Sequence, residues 1–277
     1  MTVTAVISGN TTNDSRERMA EDMLAALLSR KAGLHVLMIP HLYHLPENDR
    51  RVKEELANLV GPVVFVSRLH PRPAEWLLRR QHVKCPLLTL DIRAFANPQA
   101  CLDAFLNSEF ARKHHRTPGG TGSVREVDAD VKERWYPVID YSRCANCKQC
   151  SQFCLFGVYE LDEAGKVTVA SPDNCKPGCP ACSRICPRGA IMFPLCEDEA
   201  IAGAPGKLMS PDPSAKVMLY ARTKRRCPIC GSEYSAQPPE AGEKLCGECG
   251  RPIAKGKARP KASSDLDSLI DDLEQLR

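Results

Sequence analysis

The first 115 residues alternate short apolar runs with amphipathic segments. The apolar runs lie at 3–8, 35–40, 62–67 and 86–92, and they contain few polar residues. Strands of this kind are buried on both faces, which is typical of a parallel sheet covered by helices on both sides. The segments between them have the 3.6-residue period of helices. The pattern therefore predicts a three-layer α/β domain over residues 1–115.

Four helices are expected between and after these strands. The first runs from about Asp14 to Arg30, and Asp14 and Glu17 suit a capping box. Its apolar stripe is expected to consist of Met19, Met23, Leu24, Leu27 and Leu28. The later helices are expected at Glu47–Leu59, near Ala74–Arg80 and at about Pro98–His114.

Polar residues follow each predicted strand, at the edge where parallel sheets bind ligands. They are Ser8, Asn10, His41, Tyr43, His44, Arg68, His70, Asp91 and Arg93. This rim suits a small anionic ligand or a metal, although the loops after strands are polar in most proteins. The segment SGNTT has one glycine, so it is neither a P-loop nor a dinucleotide fingerprint. We expect a Rossmann-like domain that binds a partner or a small-molecule ligand.

The rest of the chain is rich in cysteine and has a different organisation. A basic and then glycine-rich stretch, RKHHRTPGGTGS, marks the boundary. The sequence predicts a multidomain chain with an α/β domain at 1–115, a linker at 116–135, a compact α+β domain at 136–200, a linker at 201–222, a small domain at 223–253 and a tail at 254–277.

Cysteine usage bears on the compartment. The chain has fifteen cysteines, yet its first residues lack the basic start and apolar run of a secretory signal. In a reducing cytoplasm such cysteines indicate metal rather than disulfides. No run of 18 apolar residues occurs, so no membrane span is expected. We expect a cytoplasmic protein.

Two cysteine runs carry the strongest chemical signal. CANCKQCSQFC begins at Cys144, and CKPGCPACSRICP begins at Cys175. Three thiolates at the spacing of the first run wrap three corners of an iron–sulfur cubane, while the fourth ligates a second cluster. The two runs are therefore expected to exchange their fourth ligands. Cluster I is assigned to Cys144, Cys147, Cys150 and Cys186, and cluster II to Cys175, Cys179, Cys182 and Cys154.

An internal repeat supports this exchange, since CLFGV and CPRGAI place Gly157 and Gly189 in register. Residues 136–195 or so resemble the bacterial-type dicluster ferredoxin family. The resemblance implies two [4Fe-4S] clusters, an α+β fold and low-potential one-electron transfer. Leu155 departs from the family, which has proline there, and the first gap in CKPGC is one residue longer than usual. The longer loop leaves a three-iron or labile cluster II open, and paired zinc knuckles are the alternative use of these cysteines.

A second metal site is expected further along the chain. Two C-x2-C knuckles supply Cys227, Cys230, Cys246 and Cys249, with fifteen residues between them. The segment resembles a zinc ribbon, and one structural zinc is expected there. Rubredoxin-type iron is the alternative, although the short gap leaves little room to shield iron.

Charge is unevenly distributed over the C-terminal part. Residues 207–261 contain twelve Lys or Arg against five Asp or Glu, and residues 262–277 contain five acids and one Arg. A basic ribbon could contact nucleic acid, but Tyr234 is its one aromatic residue, so this is less favoured than a redox partner. The acidic tail has the period of a short amphipathic helix that docks on a partner or on its own chain, or simply frays.

Three functions compete. The leading hypothesis is an electron-transfer protein with a redox partner protein, in which the clusters do the chemistry and no residue is catalytic. The alternative is a redox enzyme or enzyme subunit, either a reductase or similar to the class II tetrapyrrole chelatases, whose α/β domain acts on a small molecule. The third is a nucleic-acid binder that uses its clusters as sensors. An electron carrier or oxidoreductase subunit is favoured over a stand-alone enzyme.

Overall fold

A computed structural model of the chain describes residues 3–10, 14–115 and 122–209, together with two short strands further on. The backbone divides into two compact units, residues 1–216 and 217–277. In the second unit, the described strands β10 (Arg225–Arg226) and β11 (Glu233–Tyr234) pair antiparallel. The cysteines assigned to zinc and the tail helix lie outside the described residues.

The first unit contains a five-stranded parallel sheet, and four of its strands are those that the apolar runs predict. Its strands are β1 (Thr4–Ser8), β2 (His35–Ile39), β3 (Val63–Ser67), β4 (Leu87–Asp91) and β5 (Val124–Glu126). Their order is β4-β3-β1-β2-β5. The fifth strand pairs with β2 and comes from the stretch predicted as a linker, where the exposed sequence VRE has no apolar run to signal a strand.

Helices cover both faces of this sheet. They are α1 (Ser15–Ala32), α2 (Arg51–Ala57), α3 (Pro71–Arg80), α4 (Pro98–Asn107) and α5 (Glu109–His114). Successive strand residues point to opposite faces. Val6 and Phe65 therefore join the core that contains residues of α2 and α3, while Ile7 and Val64 join the core that contains residues of α1 and α4.

The buried face of α1 differs from the predicted stripe. Met19 and Met23 are 65% and 51% exposed, whereas Glu21 is only 1% exposed. Leu24 and Leu28 are buried as predicted. A helix that buries residues 21, 24, 25, 28 and 32 turns residues 19 and 23 away from the sheet. The predicted stripe was wrong at Met19 and Met23 because an acidic residue, Glu21, occupies the first buried position.

The predicted helix from Pro98 to His114 is interrupted at Ser108. Its backbone is extended there, and its Oγ accepts a hydrogen bond of 3.0 Å from the backbone N–H of Ala111. Serine favours such a cap because its hydroxyl replaces a missing intrahelical partner. The result is two helices, α4 and α5, where the apolar period indicated one.

The cysteine-rich part of the first unit is a small α+β arrangement. Strand β6 (Val138–Ile139) pairs antiparallel with β9 (Ile191–Met192), and β7 (Tyr159–Leu161) pairs antiparallel with β8 (Val167–Val169). Its helices are α6 (Gln149–Phe153), α7 (Ala181–Ile185) and α8 (Glu199–Ala202). Gly157 and Gly189 both have left-handed backbone conformations, with φ of 68° and 55°, so the register repeat in the sequence is also a repeat in conformation.

The core beneath α3 continues from the α/β part into the cysteine-rich part. Val138 and Met192, from β6 and β9, are buried in the same cluster as Leu77 of α3. Tyr43 and Tyr136 stack with ring centroids 4.3 Å apart. The two parts of this unit therefore share apolar surface. No described helix is both long and apolar enough to cross a membrane.

Candidate iron–sulfur site

Four cysteines line one cavity in the cysteine-rich part. They are Cys144, Cys147, Cys150 and Cys186, the set predicted for cluster I. Cys150 lies in α6, and Cys186 directly follows the last residue of α7. Thiols from both halves of the repeat thus face the same space.

Backbone N–H groups point at two of these sulfurs. The N–H of Asn146 donates to Cys144 Sγ over 3.4 Å, and the N–H of Ala190 donates to Cys186 Sγ over 3.3 Å. Hydrogen bonds to sulfur are among the features with which proteins tune iron–sulfur clusters. Both donors come from the loops that carry the cysteines, so the loop conformation supplies them.

The loop that follows Cys144 has an unusual backbone. Asn146 and Lys148 have positive φ angles of 52° and 61°. Asparagine tolerates this conformation because its short amide can bond locally. Here the amide donates to the carbonyl of Gly165 over 2.9 Å and accepts from the N–H of Val167 over 3.0 Å. Asn146 therefore anchors the cysteine loop to the β7–β8 hairpin.

The walls of the cavity are mainly apolar, with Ile139, Val167 and Ile191 among them. Burial raises the pKa of Cys150 to about 12. A hydrogen bond from the backbone of Ser151 opposes this shift, and the thiols of Cys186, Cys147 and Cys144 add to it. Metal binding to such a thiol must displace its proton. Within the described ranges, no three His, Cys, Asp or Glu side chains are placed to hold a single metal ion. Four cysteines line the cavity, and cysteine thiolates are the usual ligands of iron–sulfur clusters. This donor set therefore fits a cluster.

The cysteines predicted for cluster II also come together. Burial raises the pKa of Cys175 to about 12, and the nearby thiols of Cys179 and Cys154 add to the effect. Burial likewise raises the pKa of Cys182, opposed by a hydrogen bond from Tyr159 and reinforced by the thiols of Cys150, Cys175 and Cys154. The Tyr159 hydroxyl lies 3.0 Å from Cys182 Sγ. A side-chain donor to this sulfur had no signal in the sequence.

The inserted residue in CKPGC is accommodated at the surface. Lys176, Pro177 and Gly178 are all exposed, and the N–H of Cys179 donates to the carbonyl of Lys176 over 3.1 Å. Gly178 has a φ of 74°, which the turn requires. The insertion loops outward, as its Pro-Gly sequence predicts, and the two flanking cysteines are half-buried.

The polar rim predicted on the α/β domain forms a network at the carboxyl edge of the sheet. Arg68 pairs with Glu17 and Glu21, each at 3.2 Å, and Arg93 pairs with Asp91 at 2.7 Å. His70 lies 3.5 Å from the same aspartate. The rim predicted from the sequence did not include Glu21, because this residue lies inside a helix rather than after a strand.

The two histidines that follow β2 are both buried. Burial, with smaller contributions from His44 and Arg93, lowers the pKa of His41 to about 3, so this imidazole is neutral. His44 accepts at Nδ1 from the backbone N–H of Arg134 over 3.0 Å. His44 therefore ties the rim to the chain leading into the cysteine-rich part.

Comparison with known proteins finds relatives of part of the chain. Over 61 residues the chain is 52% identical to an uncharacterised ferredoxin of Methanocaldococcus jannaschii, covering 22% of this chain and 41% of that protein. Over 55 residues it is 38% identical to the pyruvate synthase subunit PorD of the same organism, covering 20% of this chain and 62% of that protein. The chain thus spans less than two thirds of either relative. No family model matches the chain, and no solved structure does.

These likenesses show a ferredoxin-like [4Fe-4S] region within the chain, and they support iron–sulfur electron transfer there. They cover about a fifth of the chain.

Proposed function

We propose that this protein transfers electrons through two [4Fe-4S] clusters and that its α/β domain binds a partner or a small ligand. The observation that carries the proposal is the cavity at which four thiols from both halves of the repeat converge, with backbone N–H groups directed at two sulfurs. Bound clusters would supply one-electron oxidation and reduction. The chain supplies ligands, hydrogen bonds and exclusion of water.

The eight cysteines divide into two ligand sets in this proposal. Cys144, Cys147, Cys150 and Cys186 hold cluster I, and Cys175, Cys179, Cys182 and Cys154 hold cluster II. The cavity lined by Cys144, Cys147, Cys150 and Cys186 supports this division. Both fourth ligands, Cys154 and Cys186, directly follow a five-residue helix. The two sites are therefore built in the same way.

A redox partner protein follows from this function, because an electron carrier has to exchange electrons with another protein. One relative is named as a subunit of pyruvate synthase. By that likeness we propose that this chain also works beside an oxidoreductase subunit. Membrane and nucleic-acid partners have no support in the described residues.

We also propose one structural zinc at Cys227, Cys230, Cys246 and Cys249. The support is their spacing, typical of four-cysteine zinc sites. The short pair β10–β11 brackets the first knuckle, since its strands end and begin on either side of residues 227–232.

Metal analysis and EPR test the electron-transfer proposal. Protein purified without oxygen should contain about eight iron atoms, about eight sulfides and about one zinc per chain. Dithionite should produce EPR signals of reduced [4Fe-4S] clusters. Absence of iron and sulfide, also after chemical reconstitution, would contradict the proposal, and four iron atoms would restrict it to one cluster.

A pair of Cys→Ser variants makes the test specific. C147S should lose about four iron atoms, because Cys147 is one of the four cavity cysteines. C196S is the matched control, since Cys196 belongs to neither ligand set and should leave the iron content unchanged. Equal iron in both variants would remove Cys147 from the ligand set.

A second candidate function, a redox enzyme fed by the clusters, has one specific observation in its favour. Among the described residues, Glu21 Oε2 and His41 Nδ1 are buried without hydrogen-bond partners. Both lie at the carboxyl edge of the sheet, and the strand order reverses there between β1 and β3, where ligands of such sheets bind. An unpaired buried polar atom costs about 1–3 kcal/mol, so a polar ligand would relieve that cost.

Native mass spectrometry of protein isolated without oxygen tests this second function. A bound small molecule should accompany the wild-type protein and be lost from the E21Q and H41F variants. E55Q is the control, because Glu55 pairs with Arg125 on a distant surface of the α/β domain. Wild-type protein free of any such molecule would favour the electron carrier.

A further inference from the structure

An arginine of the α/β domain reaches into the cysteine-rich part. Arg72, the second residue of α3, donates through Nε to Asp140 Oδ2 over 2.6 Å and through Nη2 to the carbonyl of Gly189 over 2.5 Å. The two acceptors are 49 residues apart in sequence, but both accept hydrogen bonds from the guanidinium of Arg72. One side chain of the α/β domain thus holds two separate loops together.

The two loops held by Arg72 are those that enter and leave the cavity. The carbonyl of Asp140 accepts from the N–H of Cys144 over 3.0 Å. The N–H of Gly189 donates to the carbonyl of Cys186 over 3.2 Å. Asp140 also donates its own N–H to Ala190 over 2.8 Å, and Ala190 donates to the sulfur of Cys186. Each acceptor of Arg72 is therefore one hydrogen bond from a cavity cysteine.

The contact is sheltered from water. Asp140 is only 3% exposed, and the Arg72 side chain is 20% exposed. Burial alone would raise the pKa of Asp140, but hydrogen bonds from Ser142 and Arg72 outweigh it and hold the pKa below its ordinary value. A charge-assisted pair in such a place is stronger than a surface ion pair. Loss of the arginine would leave a buried carboxylate with Ser142 as its remaining side-chain partner among the described residues.

We infer that Arg72 is a positioning residue for cluster I, and that the α/β domain completes the cluster I site by holding the Cys144 and Cys186 loops at a set separation. The inference rests on the proposed assignment of these cysteines to cluster I. It gives the α/β domain a role in the iron–sulfur chemistry that its own fold does not indicate. Cluster II, whose cysteines have no hydrogen bond with Arg72 among the described residues, should not depend on it.

The test compares full-length variants after anaerobic reconstitution. In R72A, iron release to a chelator such as bathophenanthroline should be on the order of tenfold faster for half of the iron, since charge-assisted hydrogen bonds are lost. The midpoint potential of one cluster should also shift in EPR-monitored titrations, while the other keeps the wild-type value. R72K keeps the charge but cannot reach both acceptors with a planar fork, so its release rate should be intermediate.

The matched control is R80A. Arg80 ends the same helix and donates to the carbonyl of Val169 over 3.2 Å, so it also bridges to the cysteine-rich part, but away from the cavity. Its iron release should match that of the wild-type protein. If circular dichroism shows that R72A does not fold, the iron release of R72K is compared with that of R80A instead.

The outcomes separate this inference from the proposed function. Wild-type protein that binds no clusters would overturn the proposed function itself. Wild-type protein with two clusters, and Arg72 variants that release iron like R80A, would overturn the inference alone. Equal acceleration of iron release from both clusters would also overturn it, because that result indicates general destabilisation.

Discussion

The hydroxyl of Tyr159 donates to Cys182 Sγ over 3.0 Å, and both side chains are buried. Tyr159 lies in β7, and Cys182 lies in α7, so the bond joins the two halves of the repeat. A donor to a cluster sulfur favours the more negative, reduced state. Tyr159 is therefore placed to raise the reduction potential of the cluster that Cys182 would hold.

Replacing Tyr159 with phenylalanine should lower the midpoint potential of one cluster on the order of 40 mV, the equivalent for one electron of the ~1 kcal/mol of a typical hydrogen bond. EPR-monitored redox titration measures this. Y141F is the control, because the Tyr141 hydroxyl bonds to the carbonyl of Val167 rather than to a sulfur. Equal potentials in Y159F and wild type would show that the bond does not affect the cluster.

Tyr43 should contribute strongly to the stability of the first unit. Its hydroxyl donates to the carbonyl of Tyr136 over 2.6 Å and accepts from the N–H of the same residue over 2.7 Å. Tyr43 is 0% exposed, so in Y43F both backbone groups would lose their partner away from water. We expect a loss of about 1–3 kcal/mol in the free energy of unfolding, measured with urea. Y141F, which loses one half-buried bond, should cost less, and the reverse order would contradict this reading of the contact.

Gly203 should tolerate a methyl group poorly. Its φ is 85°, and an added Cβ would lie 2.8 Å from Met192 Sδ and 3.0 Å from Pro73 Cδ. Gly206 has a similar φ of 72° but no atom within 4 Å of an added Cβ. Both alanine variants incur the left-handed penalty of about 1–2 kcal/mol, and G203A should lose roughly 1–3 kcal/mol more through overpacking. Thermal unfolding of the two variants measures the difference, and equal losses would show that Met192 and Pro73 move aside freely.

The buried carboxyl of Glu21 should make stability depend on pH. Burial raises the pKa of Glu21 above its ordinary value of 4.5, despite the hydrogen bond and charge of Arg68. When the folded-state pKa is raised, the contribution of the group is fully present below the unfolded pKa and is lost as pH rises through the folded pKa. E21Q cannot ionise and avoids this loss. Its free energy of unfolding relative to wild type should therefore increase as pH rises from 4.5 towards neutrality.

Urea unfolding at a series of pH values measures the Glu21 effect. E55Q is again the control, because its carboxylate pairs with Arg125 at the surface and its difference from wild type should stay within about 0.5 kcal/mol. A difference between E21Q and wild type that falls with rising pH would mean that the Arg68 pair outweighs the cost of burial.

The periodic elements of the first unit follow from the sequence. The four apolar runs form four parallel strands because a strand covered on both faces needs apolar residues at every position. The cysteine spacing likewise indicates which thiols share a site, since short turns between ligands leave few ways to arrange them. Strand β5 was not predicted because its residues are exposed. Its pairing with β2 is made by backbone groups, which leave no pattern in the sequence.

The contacts that hold the candidate site together were decided by the tertiary structure. Arg72 and Asp140 are 68 residues apart, and Tyr43 and Tyr136 are 93 apart. Local periodicity reports whether a residue faces a core, but it contains no information on which distant polar atom that residue will meet. The same holds for Glu21. A glutamate in a helix is expected to be exposed, and the sequence does not show that Arg68 lies within reach of its carboxylate. The sequence by itself determined the four apolar strands and predicted the cysteine sets and the chemistry they suit. The packing of α3 against β6 and β9 decided that the α/β domain contacts the loops of the cysteine cavity.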